Sequence, residues 1–155
     1  MGFQISGLPR ETFEPLFGLD DAALRQHRAC RVIADRPRAF PCRVSLIDAE
    51  VGESLILVHH EHLPVDSPFR SGHAVYVRVD AEERRLALGE VPLLLRSRTL
   101  SVRAFDDHDM MQAAELIDGA GVETVIERLL ADPGVAFLHI HYAAPGCFAA
   151  LVNRI

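Results

Sequence analysis

Two pairs of histidines stand two residues apart in runs that read as strands: His60-x-His62 in SLILVHHEHL and His139-x-His141 in AFLHIHYAAPGCFAALV. Strand alternation sends residues i and i+2 to the same face, so each pair presents two imidazoles side by side. Cys147 lies beyond the turn AAPG that follows the second pair, and His73 opens the run GHAVYVRVD. Neutral imidazoles and a thiolate are good ligands for zinc or another first-row metal, at about 2.0–2.3 Å from the ion. The same side chains support a different chemistry, with His73, His139 or His141 as acid or base and Cys147 as a nucleophile stabilised by an imidazolium. Arg70 and Arg103 add a third, because a guanidinium can clamp a carboxylate or phosphate through two parallel hydrogen bonds. A simpler reading stands beside all three: a histidine on an apolar strand face, or a cysteine beside a phenylalanine, can be an ordinary core residue.

These side chains need elements to hold them. SLILVHHEHL is apolar on both faces from Leu55 to Val58, which suits a central strand. GHAVYVRVD alternates, with His73, Val75, Val77 and Val79 on one face. If these two runs form a hairpin, His62, His73 and Arg70 lie at one rim. If that rim adjoins the final hairpin, His141 and Cys147 converge on them. Further strands are expected in FQISGL, ACRVIAD, CRVSLID, TLSVRAFD and AAELID, and AEERR reads as a charged hairpin tip. DDAALRQHR reads as a short helix capped by Asp20, and VPLLLRSR as a single helical turn after Pro92. In GVETVIERLLADPG, Val122, Val125, Ile126, Leu129 and Leu130 keep the rhythm of one apolar helix face, and Asp132-Pro133-Gly134 stops it. The expected fold is α+β: a largely antiparallel sheet, one well-defined amphipathic helix near the C-terminus, and a C-terminal hairpin.

Composition narrows the function. The 155 residues suit a single domain, residues 1–155, without linker or repeat. The net charge is −6 and the basic residues are scattered, so no nucleic-acid partner is expected. No apolar run is long enough for a membrane span and the N-terminus lacks a secretory pattern, which leads to a cytoplasmic expectation. All 16 basic residues are arginine; without lysine there is no Schiff-base chemistry and no phosphate-cradling P-loop lysine. Asn153 is the single asparagine, so an asparagine-assisted cysteine triad would have to use it. Cys30, Cys42 and Cys147 show no CxxC spacing and are expected as free thiols. DDHD at 106–109 lacks the glycine and glutamate spacing of a calcium loop and reads as a solvated turn.

Two resemblances add to this reading. Gly52 to Gly72 resembles the first metal motif of cupins: His60-x-His62 is followed after three residues by Asp66, where that motif has glutamate. The spacing from Gly52 is two residues too long, that to Gly72 one too short, and no second motif follows. More of the chain is covered by PCRVSL, EHLPVDSPFRSGHAVYVR, VPLLLRSRTLSVRAFD and HIHYAAPGCFAALV. In this order they are similar to a family of small single-domain bacterial proteins classed as a domain of unknown function. That resemblance implies a bacterial, stand-alone, soluble protein and no particular activity.

Three functions therefore stay open. The first is an enzyme or binder of a small polar or anionic metabolite, using His73, His139, His141 and Cys147 with Arg70, Arg103 and His62 as ligand-binding groups. The second is a non-catalytic module for a small-molecule ligand or a protein partner, compatible with a homodimer through a sheet edge. The third is a protein of zinc or another metal, with cupin-like ligands drawn from His62, His73, His139 and His141. The sequence requires no cofactor; zinc is the one its residues would accommodate.

Overall fold

A computed structural model describes residues 2–155. Among them the chain forms eight strands and three α-helices. In order these are β1 (Phe3–Ser6), α1 (Asp21–Gln26), β2 (Ala29–Ile33), β3 (Ser54–Leu63), β4 (Ser71–Arg78), α2 (Leu93–Arg96), β5 (Thr99–Phe105), β6 (Met111–Asp118), α3 (Val122–Leu130), β7 (Phe137–Tyr142) and β8 (Phe148–Arg154). The expected α+β class, the helix near the C-terminus and the final hairpin are all present. The strands form a five-stranded sheet, β1-β8-β7-β5-β6, and a three-stranded sheet, β2-β3-β4. The pairs β1–β8, β2–β3, β5–β6, β5–β7 and β7–β8 are antiparallel.

The chain divides into two compact units, each made of separate stretches. One unit holds residues 2–6, 61–73 and 85–155, the other residues 7–60 and 74–84. The boundaries fall within β3 and β4.

In the first unit the two faces of the five-stranded sheet differ in chemistry. Leu100, Val102, Ala104, Leu138, Ile140, Ala150 and Val152 are fully buried on one face. Helix α3 packs on β5, β6 and β7, and its Arg128 reaches Glu115, which belongs to this same face. The periodic residues of α3 are the buried ones, as the sequence predicts. Phe137, His139 and His141 of β7 and Ser101 and Arg103 of β5 project from the opposite face. Alternation therefore sorts an apolar set from a chemical one on the same strands.

In the second unit, β2, the first part of β3 and the last part of β4 cover a core of Phe13, Leu16, Leu24, Val44, Ile56, Val75 and Val77. Asp20 caps α1 by accepting a hydrogen bond from Ala23 N at 2.8 Å. Two expectations fail here. CRVSLID is not a strand: Cys42 and Leu46 close a turn through Leu46 N–H to Cys42 O at 3.1 Å, and Leu46 takes a left-handed φ of 53°. Its apolar residues are buried by the turn, and its β pairing is confined to isolated bridges, Pro41 with Asp48 and Cys42 with Tyr76. AEERR is not a hairpin tip, because β4 and β5 belong to different sheets and residues 81–92 form the connection between β4 and α2.

Candidate functional site

The site is built on the final hairpin. In β7, His139 and His141 sit on one face, 5% and 1% exposed, and are therefore true interior histidines. A bulge in β8 moves the pairing so that Ile140 faces Ala150 and His141 faces Phe148. The extra residue, Ala149, brings the Phe148 ring beside the two imidazoles, 5.0 Å from His139 and 5.9 Å from His141 between centroids. His62, next to last in β3, completes the group. Its ring stacks on Phe148 at 5.3 Å and meets His141 edge-on at 4.9 Å and His139 at 5.7 Å. One ring nitrogen from each of His62, His139 and His141 lies within 4.8 Å of the other two.

The hydrogen bonds orient two of the rings. His141 Nδ1 lies 3.0 Å from Gly146 O. A carbonyl only accepts, so Nδ1 carries the proton and Nε2 keeps its lone pair. Gly146 takes a left-handed φ of 79° in the turn, the conformation that presents this carbonyl to the ring. His62 Nε2 lies 2.9 Å from Ser71 Oγ, across the β3–β4 hairpin. His139 Nδ1 is buried and accepts or donates no hydrogen bond among the described residues. An unsatisfied buried polar atom costs about 1–3 kcal/mol, so His139 is held by packing in a position that lacks its partner.

The surroundings of these rings are aromatic. Phe105 and Phe137 flank His139 at 5.4 and 5.2 Å, and Phe69 extends the aromatic shell onto Phe105. Burial lowers the pKa of both His139 and His141 to about 3, with the positive charge of Arg103 adding to the effect. For His141 the Gly146 hydrogen bond opposes this and is outweighed. Both rings are therefore neutral at physiological pH. Neutral imidazoles are donors to metal ions, whereas a general acid or base works best with a pKa near the operating pH.

Arg103 lies opposite His139 in the β5–β7 pair, and Ser101 opposite His141. Directly paired residues have Cβ atoms about 4.5–5.5 Å apart on the same face, so the arginine borders the imidazole group. The other anion-clamp candidate is engaged elsewhere: Arg70 forms an exposed ion pair with Glu61, Nη2 to Oε2 at 2.9 Å. Of the remaining candidates, Cys147 is buried at 6% exposure and its sulfur is not one of the three clustered donor atoms. His73 is half-buried near the start of β4 and does not belong to the cluster either. The rim expected to join His62, His73, His141, Cys147 and Arg70 thus brings together His62 and His141, with His139 as the third member. His60 of the cupin-like pair contacts Phe13 in the second unit, 5.3 Å between rings, and takes no part.

Ser71, Ser101, Gly146 and Phe148 are the neighbours that sequence reasoning passed over. Ser71 had one readable signal, since a β3–β4 hairpin places it near His62. The bulge that positions Phe148 has none. The acidic turn at Asp106, Asp107 and His108 also gathers potential donors. Asp106 is occupied there as a turn residue, accepting from His108 N at 2.8 Å, Met110 N at 3.0 Å and Gln112 Nε2 at 2.6 Å.

Fold and site together define an α+β protein in which two buried histidines of an antiparallel sheet meet a third from the end of β3. Residues 39–154 match the family described as "Protein of unknown function (DUF1203)", and the chain belongs to that family. The stretch contains every member of the histidine cluster. No curated protein and no solved structure matches the chain.

Proposed function

We propose that the protein binds one divalent first-row transition metal, zinc foremost, through His62, His139 and His141, and uses it on a small-molecule ligand. The observation that carries this reading is the convergence of three imidazole nitrogens within 4.8 Å of one another, from two hairpins distant in sequence. Zinc–nitrogen bonds of about 2.0–2.1 Å put tetrahedral donors roughly 3.3 Å apart, so metal binding draws the rings together by a small rotamer adjustment. The contacts of His62 Nε2 with Ser71 Oγ and of His141 Nδ1 with Gly146 O are the outer hydrogen bonds, donated by the ring N–H, that ligating histidines use to fix ring orientation. Ligation through Nδ1 would give the buried, unpartnered atom of His139 a partner.

Three protein ligands leave a coordination position open, the arrangement of catalytic rather than structural zinc. In that position the ion would polarise a bound oxygen or lower the pKa of a bound water. His62, His139 and His141 hold the ion, and the phenylalanines around them limit water. The reading keeps the cytoplasm as the compartment, where three free thiols are chemically at home.

The test is metal analysis by plasma mass spectrometry on protein purified without a histidine tag. The expected result is about one metal ion per chain in the wild type and loss of that metal in His139→Ala and His141→Ala. Wild-type protein that retains no metal after exposure to zinc, iron, manganese or cobalt would overturn the reading.

A further inference from the structure

A cation, Arg103, borders the histidine group. Arg103 is half-buried beside His139. Its one hydrogen bond runs from Nε to Ser101 Oγ at 3.3 Å, and no carboxylate pairs with it among the described residues. Other arginines of this chain do find acids: Arg78 meets Glu53 at 2.7 Å, Arg128 meets Glu115 at 2.6 Å and Arg70 meets Glu61 at 2.9 Å. Arg103 is thus a partly desolvated cation kept without a carboxylate partner, bordering the buried imidazoles of His139 and His141.

From this juxtaposition we infer that the site takes a small carboxylate, one that bridges the metal and the guanidinium of Arg103. This inference rests on the metal reading above. A divalent ion held by three neutral imidazoles keeps its full charge, and Arg103 adds another within the same low-dielectric shell. Only an anion supplied from outside the chain can balance them there, because attraction strengthens as water is excluded. The Ser101 contact uses Nε and leaves both terminal nitrogens of Arg103 to donate. A carboxylate has two oxygens to satisfy, one on the metal and one on these donors. Phosphate carries additional charged oxygens, and the aromatic rings of Phe105, Phe137 and Phe148 offer them no hydrogen bond. The same rings suit a short apolar substituent on the acid.

Cobalt-loaded protein tests this, because the visible spectrum of the ion reports both its own binding and the arrival of an anion. Wild type, Arg103→Met and Arg103→Lys are loaded with Co2+ and titrated with acetate, oxalate and inorganic phosphate. The expected result is a carboxylate-dependent spectral change in wild type, with the dissociation constant raised at least tenfold in Arg103→Met. Arg103→Lys, which keeps the charge but not the fork, should fall between them, while Co2+ affinity stays within about threefold in all three. A cobalt spectrum indifferent to carboxylates, or equal carboxylate affinity in wild type and both variants, would overturn the inference and leave the metal reading standing. Phosphate binding more tightly than either carboxylate through Arg103 would overturn the choice of anion. Failure of the wild type to bind Co2+ at all would overturn both readings together.

Discussion

At the scale of single residues, the account depends on which atoms are satisfied and which are not. Ser71 touches only the outer nitrogen of His62, so Ser71→Ala should leave the fold intact. It should weaken metal binding by about 10–100-fold, the usual effect of removing an outer partner; a metal titration of the variant checks this. The two buried imidazoles also set a pH dependence for the metal-free protein. Their pKa of about 3 in the folded state lies below the ordinary value of 6.5. As the pH falls, the unfolded chain therefore takes up protons first. Stability is at its plateau above pH 6.5 and declines toward pH 3, by about 1.4 kcal/mol per pH unit for each histidine. Urea unfolding at pH 7 and pH 5 should differ by roughly 4 kcal/mol from this pair. Equal stability at the two values would mean that the rings are solvated. The alternation of His139 and His141 was readable from sequence, and so was their common face. Their burial was not, because it depends on Phe148 and on a bulge created by Ala149.

At the scale of elements, local patterns were read well and non-local pairings were not. The apolar face of α3 and the alternation in β4 follow from side-chain periodicity alone. By contrast, CRVSLID has strand composition but lies in a turn, since the left-handed backbone of Leu46 is not written in residue type. Strand order was equally hidden: β5 lies between β6 and β7, and that placement sets Arg103 opposite His139. Gly119 marks the joint between α2 and the turn leading into α3. It donates to Arg98 O at 2.8 Å, and a Cβ there would overlap the Leu95 carbonyl oxygen and stand 2.7 Å from Arg98 O. These obstacles are backbone and cannot rotate away. Gly119→Ala should cost about 3 kcal/mol, the upper end of overpacking effects, and lower the melting temperature by roughly 10 °C. Calorimetry that finds no change would show that this joint repacks freely.

At the scale of the whole molecule, the histidine cluster joins the end of β3 to the final hairpin, so a bound metal would cross-link distant parts of the chain. Metal that binds only the folded state adds about 2.7 kcal/mol of stability at a free concentration one hundred times its dissociation constant. Zinc should therefore raise the melting temperature, and a chelator should reverse the shift. Among the described residues no helix is long and apolar enough to cross a membrane. Family membership covers residues 39–154 and carries no assigned chemistry, so the metal reading rests on the geometry of His62, His139 and His141. The sequence supplied all three names, but not their grouping. X-ray absorption at the zinc edge of zinc-loaded protein is the decisive measurement for the three-histidine site. Three imidazole ligands at about 2.0–2.1 Å are expected, with the remaining position filled by oxygen. A sulfur scatterer at about 2.3 Å, which would bring in a cysteine, or fewer than three imidazoles, would contradict it.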